Sequence, residues 1–336
     1  EPGREAAGPA VAVGAPSRAA RRFSMSKWDP VNIAYPNFFV VGAAKAGTTS
    51  LYRYLGQHPE VYMSPLKEPN WFSRVHAPGR ISSVASEAEY LRLFERRGEE
   101  PVAGEASPSY LWDEKAPWRI KNAVPEAKII AILRHPAERA LSDYAMDVQY
   151  AGETLPLLEA LKEGYYARPK TYGVTRMYVD LGFYSEQVGR YLEAFEKTRV
   201  RIFLYEDLER DPRALLRSVL EFLDVDPGYA DSIETGVQYN KYSNPKGGPL
   251  GLVTENVLNS RTFRSPRFRA LRARLIPDAK LRFRIRQSLR FKEGVKPEMD
   301  SESSRFLMDL YREDIRELQG LIGRDLEHWL QPEHKG

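Results

Sequence analysis

Residues 37–73 read NFFVVGAAKAGTTSLYRYLGQHPEVYMSPLKEPNWFS, and the opening of this stretch decides the fold. Phe38-Phe39-Val40-Val41 is a short apolar run of the kind that forms a buried parallel strand. It leads into Gly42-Ala43-Ala44-Lys45-Ala46-Gly47-Thr48-Thr49. Beyond the second glycine, Leu51, Tyr54 and Leu55 fall at i, i+3 and i+4, which predicts one apolar face of a helix. Strand, glycine loop and helix start make an anion-binding arrangement, because free N–H groups and the positive end of the helix dipole converge there.

The place of the lysine narrows the anion. A nucleoside-triphosphate loop reads G-x-x-x-x-G-K-[ST], with lysine directly after the second glycine. Gly42 and Gly47 keep that spacing, but Thr48 stands at the lysine position and Lys45 lies inside the loop. The loop suits a different phosphate.

Working outward, Tyr90, Leu91 and Phe94 predict a short helix over Glu87–Phe94, and residues 101–110 a brief strand running into a loop. Lys128-Ile-Ile-Ala-Ile-Leu-Arg134 is a second buried strand, with Pro136 placed to start a helix through about Gln149. Residues 151–183 mix short helical pieces with Gly152, Gly164, Gly173 and Gly182 as interruptions. A helix over Tyr184–Lys197, a strand over Val200–Tyr205 and a helix from Pro212 follow. Phe306 to Ile322 keeps the spacing of a long amphipathic helix. Alternating strands and helices predict an α/β fold, a P-loop-like three-layer arrangement with a central parallel sheet flanked by helices.

Composition bounds the rest. Among 336 residues, 42% are hydrophobic and 29% charged, as in ordinary globular proteins, and no apolar run reaches the length of a membrane span. With no cysteine there is neither disulfide nor thiolate metal site, and a reducing cytoplasm fits. Histidines 58, 76, 135, 328 and 334 show no ligand spacing, so no metal is expected, and His328 and His334 read as surface residues. Residues 1–30, rich in Ala, Pro and Gly, read as a disordered leader or as a linker within a longer polypeptide. Charge is uneven. Arg261–Lys292 carries twelve Lys/Arg against Asp278 alone, a balance of +11 that leaves −7 on the rest of a chain whose total is +4.

Four segments carry a family resemblance. Gly42–Thr49 resembles the 5′-phosphosulfate loop of sulfotransferases that use 3′-phosphoadenosine 5′-phosphosulfate (PAPS), and Ile129–Tyr144 resembles their 3′-phosphate segment. Tyr205–Pro212, and Leu321–Leu326 with Trp329, are similar to later blocks. The likeness is to the bacterial and heparan-sulfate-type branch, and it makes residues 31–336 one sulfotransferase domain with a basic helical segment at about 255–295. It implies a transferase that moves a sulfuryl group to an acceptor hydroxyl by in-line displacement, with PAPS as donor and no metal.

The resemblance also implies roles. Lys45 would face charge on the leaving 5′-phosphate, with Ala46, Gly47, Thr48, Thr49 and Ser50 around it. Arg134 and Ser142 would hold the 3′-phosphate, although Arg134 also has Glu138 within pairing distance along a helix. Lys246-Gly247 is similar to a loop that closes over the nucleotide. In Lys67-Glu68-Pro69-Asn70-Trp71-Phe72, Glu68 takes the general-base position, held extended by the following proline, and Lys67 is a candidate substrate contact. The heparan-sulfate-type pattern has Glu-Lys before Ser/Thr-Pro, whereas Glu105-Ala106-Ser107-Pro108 has lost that lysine. Ala106 therefore weakens a glycosaminoglycan assignment, and Glu105 becomes a candidate second carboxylate facing the acceptor.

The acceptor class stays open between carbohydrate, lipid and natural product. The basic segment is either a docking face for an acidic glycan, anionic headgroups or a carrier protein with a tethered acceptor, or a solvated helical face. Nucleic acid is not expected. The competing functions are a P-loop nucleoside or sugar kinase and a nucleotide-binding module without catalysis.

Overall fold

Alternation along the first strand sets the layers. In the computed structural model, Phe38 and Val40 pack into one apolar cluster and Phe39 and Val41 into another, and all four are fully buried. The strand is therefore covered on both faces, as a central parallel strand must be. The structure describes residues 35–73, 84–150, 153–236, 244–245, 291–292 and 297–331. The leader, His76, His334, Lys246, Gly247 and the basic segment up to residue 290 lie outside the described residues.

In chain order, β1 (Phe38–Gly42) feeds α1 (Thr48–Leu55), then β2 (Val61–Met63), α2 (Glu87–Arg92) and β3 (Val102–Ala106). Next come α3 (Ser109–Trp112), α4 (Ala116–Ala123), β4 (Lys128–Leu133), α5 (Pro136–Tyr150), α6 (Leu157–Tyr166) and α7 (Tyr184–Ala194). The chain continues through β5 (Val200–Leu204), α8 (Tyr205–Arg210), α9 (Pro212–Leu223), β6 (Asn244–Pro245), β7 (Phe291–Lys292) and α10 (Ser301–Ile322). The main sheet runs β2-β3-β1-β4-β5 with every pairing parallel. Helices α1 and α9 cover the Phe38/Val40 face, while α5, α7 and α10 cover the Phe39/Val41 face. The expected three-layer α/β fold is present.

Local chemistry explains several boundaries. Asp211 accepts from the Arg213 and Ala214 amides at 3.1 and 3.0 Å and Pro212 follows it, a cap of the kind worth about 1 kcal/mol. Asp300 caps α10 in the same way, on the Ser303 amide at 2.8 Å. In β3, a Cβ on Gly104 would sit 2.2 Å from the Phe38 ring, so only glycine lets that ring cross the neighbouring strand.

Two expectations change. Gly164 does not interrupt a helix but lies inside α6, where the Arg176 carbonyl comes within 2.4 Å of the missing Cβ. The tail of the basic segment, Phe291–Lys292, is a strand paired antiparallel with Asn244–Pro245 rather than helix. The edge strand β2 is new: three residues between His58-Pro59 and Pro65 are too few for a period to show.

The strand order reverses around β1. Chain leaving β1 moves to one side, through β2 and β3, then crosses to β4 on the other. Ligands of open α/β sheets bind at the carboxyl ends of strands beside such a reversal. The Gly42–Gly47 loop is there.

Candidate functional site

Three segments meet at that edge: the loop after β1, the 67–73 loop beside the end of β3, and the start of α5 after β4. The first is fixed by the Ala43 amide on the Ile132 carbonyl at 2.7 Å and by two residues with left-handed backbone, Lys45 (φ 68°) and Gly47 (φ 93°). Gly47 is required twice, because a Cβ there would also lie 2.9 Å from Leu208 and 3.0 Å from Tyr205. It provides no side-chain cap for α1, so the first-turn amides of Thr48, Thr49 and Ser50 open toward the loop. Thr48 is buried, Thr49 and Ser50 half-buried, and Ala46 is part of the core, which limits Ala46 to its backbone.

Lys45 is the unusual group. Its Nζ donates to the Met146 thioether at 3.2 Å, a weak acceptor, and no other hydrogen-bond partner stands beside it among the described residues. Burial pushes its pKa below the ordinary lysine range. Arg139 and Arg134 push it the same way, and Asp143 and Glu68 oppose. A desolvated ammonium with so poor a partner is matched to an anion.

Arg134 faces the same region from the end of β4. Its Nε and Nη2 donate to Glu138 Oε2 at 2.9 and 2.7 Å, and the guanidinium lies 4.7 Å over the Tyr205 ring. Of the two alternatives raised by the sequence, the pairing with Glu138 is present. Ser142, half-buried, follows Glu138 by one turn on α5. The chain also returns to α5, because β6 lies against it immediately before Lys246. Lys246 and Gly247 lie outside the described residues.

Glu68 differs from expectation. Its backbone is left-handed (φ 63°) rather than extended, and Asn70 two residues on is left-handed too (φ 54°). Such residues are each strained by about 1–3 kcal/mol and persist where surrounding contacts over-determine them. Here the Glu68 amide donates to the Ala106 carbonyl at 3.1 Å, and Asn70 Nδ2 donates to the Glu68 carbonyl at 2.8 Å. The carboxylate pairs with Lys67, and its side chain keeps 43% exposure.

Glu105 does not face an acceptor. It is fully buried, and its carboxylate takes hydroxyl protons from Ser107, Tyr90 and Tyr110 at 2.6, 2.8 and 2.7 Å. Burial pushes its pKa up to about 7, those hydroxyls pull it down, and the Glu68 charge raises it again. Ala106 is buried in the α1/α9 core, so β3 brings no cation to the site at that position.

Sequence reasoning missed a set of neighbours. Arg139 is fully buried and bonds Asp143 at 3.0 Å, and both act on Lys45. Their i, i+4 spacing was a usable signal. Tyr172 had none, since it sits in a stretch without periodicity. Burial raises its pKa, and the charges of Glu68 and Asp143 raise it further. Its ring lies 6.0 Å from that of Trp112. No group of His, Asp and Glu arranged to hold a metal occurs among the described residues.

A family model described as the sulfotransferase domain matches residues 35–317. The bifunctional heparan sulfate N-deacetylase/N-sulfotransferase 4 of Mus musculus is 29% identical over 307 residues, 89% of this chain and 31% of that protein. Carbohydrate sulfotransferase 15 of Mus musculus is 28% identical, over 66% of this chain and 50% of its own length. The chain thus spans about a third to a half of these curated relatives. A sulfotransferase from Alicyclobacillus acidocaldarius, solved as a crystal structure, is 30% identical, with 88% of this chain and 99% of that one covered at a TM-score of 0.66.

Proposed function

The chain belongs to the sulfotransferase domain family, and from that premise we propose that it moves a sulfuryl group from PAPS to a hydroxyl of a carbohydrate acceptor. One observation carries this: the loops after β1 and beside β3 present a desolvated cation, Lys45, and an accessible carboxylate, Glu68, within electrostatic reach of each other. Sulfuryl transfer needs that pair, one group for the charge that leaves and one for the proton released.

Family members draw the group from PAPS, which supplies an activated sulfuryl whose departure leaves a 3′,5′-bisphosphate. The residues fit a donor with two anionic ends. Lys45 and the amides of Gly47, Thr48, Thr49 and Ser50 would hold the 5′ end, and Arg134 with Ser142 the 3′ end. Glu68 accepts the proton of the acceptor hydroxyl as its oxygen bonds to sulfur and the sulfur–oxygen bond to the leaving phosphate breaks. Lys45 faces the charge gathering on that departing oxygen. Lys67, paired with Glu68, would orient the acceptor.

Two points support a carbohydrate. The curated relatives include enzymes named for heparan sulfate and for carbohydrate, and Tyr172, which pairs its ring with Trp112, feels the charge of the proposed base. Aromatic faces give a sugar ring apolar contact area at little entropic cost. Tyr172→Ala is expected to raise KM for a glycan acceptor about tenfold, roughly 1.4 kcal/mol, with KM for PAPS unchanged. The assay is transfer from labelled PAPS to glycan, phenol, lipid and carrier-tethered hydroxyls. Transfer to a phenol, lipid or carrier-tethered hydroxyl with none to glycans would defeat the carbohydrate assignment.

A further inference from the structure

Glu105 lies beneath the base loop and touches nothing that reacts. Each of its three hydroxyl donors has one proton, and all three protons point at the carboxylate. Two of those hydroxyls thereby keep lone pairs for the loop above. Ser107 Oγ accepts from the Asn70 amide at 3.1 Å, and Tyr110 OH accepts from the Phe72 amide at 3.3 Å. Asn70 in turn holds the Glu68 carbonyl, and Ser109 donates to Asn70 Oδ1 at 2.6 Å. The chain of bonds runs from Glu105 to the left-handed backbone of Glu68.

That chain has a sense. An ionised carboxylate only accepts, so all three hydroxyls can donate to it. A protonated one must itself donate, and when it donates to Ser107 or Tyr110 that hydroxyl turns round and sets its own proton against the Asn70 or Phe72 amide. Resting on the reading of Glu68 as base, we propose that Glu105 is a positioning residue: its ionised form orients Ser107 and Tyr110, which hold residues 68–73, and its protonation releases Glu68 from the catalytic pose.

The charged and titratable groups facing Glu105 are Glu68 from the loop, Tyr90 from α2, Tyr110 from α3 and Tyr191 from α7. Since burial brings Glu105 to about 7, it takes up a proton as pH falls through that value, and turnover falls with it. The active form is the one on the alkaline side.

The test is the pH profile of kcat for the whole chain with Glu105→Gln and Ser107→Ala. Glu105→Gln keeps the shape without the charge. It is expected to lower kcat about tenfold at pH 8, to leave KM for PAPS unchanged and to abolish the acid limb near pH 7. Ser107→Ala removes a donor that lowers the Glu105 pKa, so its acid limb moves to higher pH. A Glu105→Gln protein that binds 3′-phosphoadenosine 5′-phosphate normally and keeps the limb overturns the proposal. If Glu105→Gln does not fold, an unmoved limb in Ser107→Ala overturns it. Loss of the base reading is separate: it would show as normal turnover in Glu68→Gln whatever happens to the limb.

Discussion

Replacing Lys45 by methionine is expected to lower kcat by about 10²- to 10³-fold while weakening nucleotide binding much less. Preorganised charge opposite a leaving oxygen is typically worth that much. The change isolates the charge well. Methionine matches the length of the lysine stem, is no more strained at φ 68° than lysine, and meets Met146 as an apolar neighbour. Because the ammonium is buried against a thioether, the variant is expected to be at least as stable as the wild type. The wild-type profile carries a second signature. Burial lowers the Lys45 pKa, so the cation is lost, and turnover with it, at a pH below the ordinary lysine range. Single-turnover transfer measured across alkaline pH checks both, and a loss under tenfold in Lys45→Met removes the residue from its role.

Glu68→Gln is expected to lower kcat by about 10²- to 10⁴-fold with binding of 3′-phosphoadenosine 5′-phosphate intact. Shape is conserved, and the contacts that hold the residue, its amide to Ala106 and its carbonyl from Asn70, are backbone contacts that survive. The ion pair with Lys67 is lost, but that pair is partly exposed and contributes under about 1 kcal/mol. A stable, binding-competent protein that cannot transfer is therefore the signature of a missing base. Turnover within threefold of wild type would remove Glu68 from that position.

Much of the frame could be read from residues alone because its signals are local. The runs at 38–41 and 129–133 are apolar on both faces, Pro136 and Pro212 open helices, and the spacing of Gly42 and Gly47 needs no tertiary knowledge. What escaped depends on the third dimension. Glu105 reads as a cleft carboxylate only through its match to the family pattern before Ser-Pro. β3 is buried on both faces, so no alternation shows which way that side chain points. The backbone of Glu68 was misjudged because the proline rule constrains it only away from the right-handed region. The Asn70 side chain and the Ala106 carbonyl decide the rest. Tyr172 feels the charge of Glu68 only through the fold.

The same contrast clarifies Arg134. A spacing of four predicts the Glu138 pair, which forms with both bonds on one carboxylate oxygen; an anion contact at the strand end is the proposed role. Arriving phosphate would compete with Glu138 for that edge or add to it. Tyr205 keeps the guanidinium plane in place in either case.

In the proposed function this edge of the sheet holds a nucleotide by two separate anionic ends and not by a triphosphate chain. The direct measurement is thermal unfolding with 3′-phosphoadenosine 5′-phosphate and, separately, with ATP and Mg²⁺ at equal concentration. Ligand at 100 times its Kd stabilises by about 2.7 kcal/mol, enough to raise Tm by several degrees. The bisphosphate is predicted to give that shift and ATP–Mg²⁺ a clearly smaller one. Equal shifts, or a larger one with ATP–Mg²⁺, would contradict the account.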